Sequence, residues 1–298
     1  MSLRINPDPA PDLLAAIAQN RQAQNTALQQ ISTGRQVNQI SDNPAAAAEV
    51  ILNHIRGGQD NQYLQNISDL TAQGNSIDST LSSVVQAMTQ AISLGTEGAN
   101  GTLSDSNRQA IAQQLTGIRD QVLSLANQTY QGSYVFAGTA TSTQPFVLDP
   151  SQPDGVKYNG NTNVNSITIS QGNTIAINAP GSQIFTNPAG DVLGSLNGMI
   201  TALQNNSGLA AANTNLQQAF SQLTSQRVFY GNTLQQLQST QTFLNSDKIQ
   251  LAQQENTLVG VDLASSITNL QQATVATNAI LSATGQILST MNLLNFLK

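Results

Sequence analysis

From Leu263 to Leu297 the chain sets apolar residues among uncharged polar ones at steps of three and four, and no charged side chain occurs. One apolar row runs Leu263, Ile267, Leu270, Leu281, Leu288 and Met291; an adjacent row runs Ala273, Ala276, Ile280, Ala283, Ile287 and Leu294. Together they predict a broad apolar stripe on a helix extending roughly 50 Å. The opposite face is Ser, Thr, Asn and Gln, where a surface helix usually carries Glu and Lys pairs. A polar residue at nearly every turn, with no run of ~18 apolar residues, argues against a membrane span. The pattern suits a core helix or, as favoured here, an assembly helix that is covered in its working state.

The rest of the chain reads in the same way. Pro7, Pro9 and Pro11 favour an extended start. A helix follows with Leu14, Ile17, Arg21, Gln24, Leu28 and Ile31 on one face, and its polar members leave it dependent on partners. Gly34 is placed to end it in the left-handed conformation. Asn43 then caps a new helix with Pro44 at its first position. Ile67, Leu70, Gly74, Ile77, Leu81, Val84, Met88, Ala91 and Gly95 continue that helix at alternating steps of three and four, a coiled-coil rhythm that stops at Gly98-Ala99-Asn100-Gly101. Ser104 or Asp105 caps a third helix, striped by Ile111, Leu115, Ile118, Val122 and Leu125; the short loop predicts an antiparallel neighbour of the long helix.

Near Tyr130 the period changes to two. Asn159-Gly160 predicts a hairpin turn after Val156-Lys157-Tyr158, and Gln171-Gly172-Asn173 a second turn between Ile167/Ile169 and Ile175/Ile177. This antiparallel β segment ends near Phe185. Helical spacing returns at Leu193, Leu196, Ile200 and Leu203. A second long series then runs through Leu216, Phe220, Leu223, Arg227, Tyr230, Leu234, Leu237, Gln241, Leu244, Lys248 and Leu251 until Val259-Gly260-Val261-Asp262 interrupts it. The expected fold is mainly α with an inserted β domain: long coiled-coil-like helices from both termini pack together around a small antiparallel β domain. Residues 1–40 and 259–298 are expected to form a terminal helical assembly domain, 41–139 and 190–258 a long-helix core domain, and 140–189 the β insert.

Composition narrows the chemistry. Charged residues are 9% of the 298 and aromatics 4%, with no Trp, so a compact core built on large anchors is disfavoured. Asn and Gln make up roughly a quarter. The net charge is −6 and the ten basic residues are scattered, which leaves no electrostatic footprint for nucleic acid. With no cysteine there is no disulfide framework and no thiolate metal site. The first residues lack the apolar stretch and cleavage site of a secretory signal, so export would use another route. His54 is the single histidine, no phosphate-binding glycine motif occurs, and the carboxylates do not cluster. No enzyme activity, cofactor or metal is expected.

Ile31-Ser32-Thr33-Gly34-Arg35 followed by Ser41-Asp42-Asn43-Pro44-Ala45-Ala46-Ala47 resembles the N-terminal signature of the bacterial flagellin family. The ending from Ala283, closing on Asn292-Leu293-Leu294-Asn295-Phe296-Leu297, is similar to that family's C-terminal helix. Tyr134-Val135-Phe136-Ala137-Gly138-Thr139, Pro145-Phe146, Tyr158-Asn159-Gly160 and Ala179-Pro180-Gly181 with Phe185 are similar to family members at the junction of hook and filament. Asp42-Asn43-Pro44-Ala45-Ala46, where filament members tend to have Asp-Asp-Ala-Ala-Gly, points the same way. The resemblance implies a structural, extracellular component of the bacterial flagellum, exported unfolded through the flagellar type III pathway. Its implied partners are other copies of itself in a tubular layer, the first hook-associated junction protein below, flagellin above and a cytoplasmic secretion chaperone, with no nucleic acid and no membrane. Filament flagellin and a secreted coiled-coil adhesin or translocator are the alternatives. The expected assembly interface comprises Leu14, Ile17, Leu28, Ile31, Leu263, Ile267, Leu270, Ile280, Ile287 and Leu294, and the expected structural motif Gly34, Asp42, Asn43 and Pro44. Two further expectations are that both ends fold only on assembly, and that the uncharged face at Thr277 and Thr284 lines an export channel.

Overall fold

The computed structural model describes residues 10–152, 154–176, 178 and 180–295, with the backbone alone at Ala10 and at 287–295. Helix α1 spans Ala10–Thr33, α2 Pro44–Gly98 and α3 Asp105–Ala126. Short strands follow: β1 Thr129–Tyr130, β2 Ser133–Tyr134, β3 Phe146–Leu148, β4 Val156–Tyr158, β5 Ser166–Ser170 and β6 Asn173–Ala176. A single turn of helix, α4 (Gly181–Ile184), precedes β7 (Thr186–Asn187) and β8 (Gly190–Asp191). Helices α5 (Val192–Asn205), α6 (Leu209–Val259) and α7 (Leu263–Asn295) complete the chain. The architecture is mainly α, with small antiparallel sheets in its middle.

Backbone contacts divide the chain into two units, Met1–Gly58 with Asp247–Lys298, and Gln59–Ser246. The first unit joins the two ends of the chain. Its α1 and α7 pack side by side, and the buried positions between and around them are small: Ala27, Ser266 and Ala273. Helices approach closely where contact side chains are small. Among the described residues, Ala46 on α2 and Leu251 and Val259 on α6 are the other buried residues of this unit.

The second unit holds the large core. Leu81, Val84 and Met88 of α2 share it with Ile111, Leu115 and Val122 of α3, Leu193, Leu196 and Met199 of α5, and Leu216 and Leu223 of α6. The stripes expected at these positions are buried because their three- and four-residue steps keep them on one helix face. Ser104 caps α3, its hydroxyl accepting the Asn107 N–H at 3.2 Å. One expectation changes: the close backbone neighbour of α3 is α5, while α2 joins α3 through their longer side chains. Small buried residues, Ala112 on α3 with Ser195 and Ala202 on α5, permit the closer approach.

The β segment is four separate two-stranded antiparallel hairpins, β1-β2, β3-β4, β5-β6 and β7-β8. The Gln171-Gly172 turn joins β5 to β6 as expected, with Ser170 opposite Asn173. Asn159-Gly160 does not turn a hairpin. Instead β4 pairs back onto β3, Phe146 opposite Tyr158, and Asn159 donates its N–H to the Pro145 carbonyl. Gly160 is needed for space, because a Cβ there would stand 2.5 Å from the Tyr158 ring and 2.8 Å from the Ala137 carbonyl oxygen. The Tyr158 hydroxyl donates toward the carbonyl oxygens of Phe136 (2.9 Å) and Asn161 (3.0 Å). The rings of Phe136, Phe146 and Phe185 meet edge to face at 5.1 and 5.5 Å. The aromatic and glycine motifs scattered over fifty residues of sequence thus converge on one packed knot.

Candidate assembly interface

The first unit is built on a clasp between two connectors. Gly34 ends α1 with φ +68°, a conformation that a Cβ disfavours. Its carbonyl accepts the Val261 N–H at 3.2 Å, and the Gln36 N–H donates to the Val259 carbonyl at 2.6 Å. Arg35 and Gly260 therefore face each other as a short antiparallel bridge. At Gly260 a Cβ would stand 2.2 Å from the Asn256 carbonyl oxygen, so the helix end admits only glycine without a backbone shift. The Arg35 guanidinium bonds the Glu255 carboxylate, whose other oxygen lies 3.1 Å from His54 Nε2.

The connector from α1 to α2 is organised by Asp42. Its Oδ2 accepts the N–H groups of Asn38 and Gln39, both at 2.9 Å. Asn43 Oδ1 accepts the Ala46 N–H at 3.1 Å, and α2 begins at Pro44. These bonds give each motif residue a structural role: a stop at Gly34, a turn at Asp42, and a cap and start at Asn43 and Pro44.

The α1–α7 seam mixes small and polar residues with a few half-buried Leu and Ile side chains. On α7, Ser266, Leu270, Ala273, Thr277, Ile280 and Thr284 recur at four and three and are buried or half-buried. On α1, Ile17, Asn20, Gln24, Ala27, Gln30 and Ile31 face them at similar spacing. Gln24 Nε2 donates to Thr277 Oγ1 at 3.2 Å, and Ser266 Oγ donates to Gln30 Oε1 at 3.3 Å. Thr277 thus lies on the α1 side of α7 and Thr284 is half-buried, which corrects their expected place on its free polar face. The seam takes the row holding Ala273 and Ile280, because Ala, Ser and Thr let two backbones close up where Leu would hold them apart.

Several large apolar side chains are left outside. Leu14 is 68% exposed, Leu28 52%, Leu263 49% and Ile267 45%, with Val275 and Leu281 also exposed. Leu14 and Leu28 are two heptads apart, as are Ile267 and Leu281, which keeps each pair on one side of a coiled-coil helix. On the same unit Ile40, Ile51, Leu52, Ile55 and Ile249 are exposed. Two open grooves border α1. One of about 730 Å³ runs beside α7 past Gln19, Ala23, Thr26 and Gln272. The other, about 710 Å³, lies between Leu14, Ile17 and Arg21 on α1 and Gln36, Gln39 and Asp42 of the connector. Of the ten residues expected at an interface, Leu14, Leu28, Leu263 and Ile267 are exposed, while Ile17, Ile31, Leu270 and Ile280 are half-buried in the seam. Ile287 and Leu294 lie in α7 with side chains outside the described residues. The sequence reading missed Glu255 and Ser266, and the role of Arg35. Their signal was faint: Arg35 follows a helix-ending glycine and Glu255 stands one turn before another. Among the described residues no group of three or more metal-binding side chains occurs, and no helix is long and apolar enough to cross a membrane.

A unit joining both chain ends, with apolar side chains turned outward and a Gly34–Pro44 connector, agrees with the family resemblance of the sequence. Residues 9–141 are similar to the bacterial flagellin N-terminal helical region. Over 158 residues the chain is 35% identical to the flagellar hook-associated protein 3 of Salmonella typhimurium, covering 53% of this chain and 48% of that protein. The Escherichia coli protein of the same name aligns with the same identity and coverage. In those alignments the chain spans about half the length of the curated relatives it matches. Among solved structures, the putative flagellar hook-associated protein from Vibrio parahaemolyticus superposes with a TM-score of 0.65 at 21% identity, covering 74% of this chain and 100% of that one. The Xanthomonas campestris FlgL superposes with a TM-score of 0.59 at 18% identity, covering 67% of this chain and 98% of that one. These likenesses carry the fold.

Proposed function

We propose that this protein is a structural component of the bacterial flagellum that forms the junction layer adapting the hook to the flagellin filament. The observation that carries the reading is the first unit: α1 and α7 close on each other through small residues and leave Leu14, Leu28, Leu263 and Ile267 facing outward. Side chains of that size stabilise by roughly 1.5–3 kcal/mol each when fully buried, so neighbouring copies have apolar surface to cover. The 35% identity to proteins named flagellar hook-associated protein 3 supports the junction over the filament. The partners in this reading are further copies in a tubular layer, the first hook-associated junction protein below, flagellin above and a cytoplasmic export chaperone. The protein works outside the cell and performs no catalysis. Helices α1 and α7 become fully ordered when subunits meet.

Reconstitution tests this directly. Purified protein is sedimented and imaged alone, then with isolated hooks ending in the first junction protein. The expected result is a soluble subunit alone and one added layer on the hooks, with amide exchange at residues 263–286 slowing on addition. Long filaments from the protein alone would reassign it to filament formation, and indifference to hooks would overturn the junction role.

A further inference from the structure

A polar cleft in the second unit lies apart from every assembly feature described above. It has a volume of about 380 Å³ and opens between α2 and the β1-β2 hairpin. Helix α2 contributes Asp69 and Gln73, one turn apart, while the hairpin contributes Tyr130, Gln131 and Tyr134, with Thr141 at the edge. We propose that this cleft binds a neutral saccharide of one or two sugar units.

The lining selects that chemistry by exclusion and by fit. No Lys or Arg is among the described lining residues, so a phosphate, nucleic acid or other anion would meet the Asp69 carboxylate with no cation to offset it. Among the described lining residues Val135 is the one aliphatic side chain, a lining that disfavours a lipid or an apolar helix. A single carboxylate is too few ligands for a divalent cation. What remains is a set of amides, hydroxyls and one carboxylate beside two phenol rings. Such groups accept and donate to many hydroxyls while an aromatic face covers the apolar side of a sugar ring. The volume lies in the range of small-ligand sites.

The hairpin turn adds an independent observation. Gln131 and Gly132 both have positive φ, 49° and 80°. A two-residue turn of this kind favours Asn-Gly or Gly-Gly, so a Gln at its first position is disfavoured by its own backbone. The strained position places a long amide in the cleft lining, where it donates to the Tyr130 hydroxyl at 3.5 Å and where glycine would offer nothing.

That strain also supplies the test. Gln131→Gly relieves the backbone while removing the amide, so it should raise the unfolding midpoint and weaken binding. Asp69→Asn keeps the shape and removes the carboxylate. The full-length protein is titrated with cellobiose and with di-N-acetylchitobiose, followed by saturation-transfer NMR and calorimetry. Millimolar or tighter binding of at least one of them is expected, weakened at least fivefold in each variant. Absence of saturation transfer from both disaccharides at 20-fold excess over a millimolar range, or binding that neither variant changes, would overturn the assignment.

Discussion

Two glycines carry different burdens at the clasp. Gly34 needs its left-handed backbone but has open space around its Cα. Gly260 is confined by the Asn256 carbonyl oxygen, 2.2 Å from where a Cβ would sit. Gly34→Ala should therefore cost about 1 kcal/mol, the penalty of a side chain in that conformation. Gly260→Ala should cost more, because the backbone must move and the bond from the Gln36 N–H to the Val259 carbonyl moves with it. Chemical unfolding measures the difference, and amide exchange at Gln36 and Val261 locates it. Equal costs with unchanged exchange would show that the two connectors do not hold each other.

At the scale of elements, one helix start loses stability as the pH rises toward neutral. Asp191 caps α5, its Oδ1 accepting the Gly194 N–H at 2.8 Å. Burial, opposed by that bond and reinforced by the neighbouring Asp154 carboxylate, pushes its pKa up from 3.8 to about 7. The folded state thus holds a proton that the unfolded chain releases near pH 4. This contribution to stability is full below pH 4, declines as the pH rises toward 7, and is flat beyond. Asp191→Asn keeps an acceptor for Gly194 and removes the titration, so unfolding free energies between pH 4.5 and 8 should lose this slope. A slope as steep as that of the parent would place the titrating group elsewhere.

The helices were legible in the sequence for a simple reason. Their apolar residues recur at the helical period, and their ends are marked by Gly34, Pro44, Ser104 and Gly260. The hairpins were half legible. Gln171-Gly172 announces its own turn, but Asn159-Gly160 carries the same local signal and is used for the close approach of Tyr158 instead. Turn chemistry is local, whereas the partner of β4 is fixed by Phe146, a residue brought in by the aromatic knot. The α1–α7 seam was legible as a stripe but not as a side. Leu263 and Ile267 have the larger transfer free energy, yet Ser266, Ala273 and Thr277 meet α1, because contact distance between two helices depends on the smallest residues they share. Gln24, a polar member that weakened the stripe of α1 when read as a pattern, bonds across the seam, as does Gln30.

For the whole molecule, stability and assembly should separate cleanly by unit. Leu115 is fully buried in the core of the second unit, and Leu115→Ala should cost about 2–5 kcal/mol through lost transfer energy and the cavity left behind. Leu28 and Ile267 are about half exposed on the first unit, so Leu28→Asp and Ile267→Asp should change the unfolding free energy by less than about 0.5 kcal/mol. In the assembled layer the same two substitutions would place a carboxylate against apolar surface, where an unpaired charge is far more costly than a lost methyl group. The expected pattern is opposite in the two assays. Leu115→Ala shifts the denaturation midpoint while the surviving folded fraction still joins isolated hooks; Leu28→Asp and Ile267→Asp leave the midpoint in place and abolish addition to them. If the aspartate variants add to hooks as well as the parent, these side chains remain in water in the layer, and the contacts between subunits must run through the polar grooves beside α1 instead.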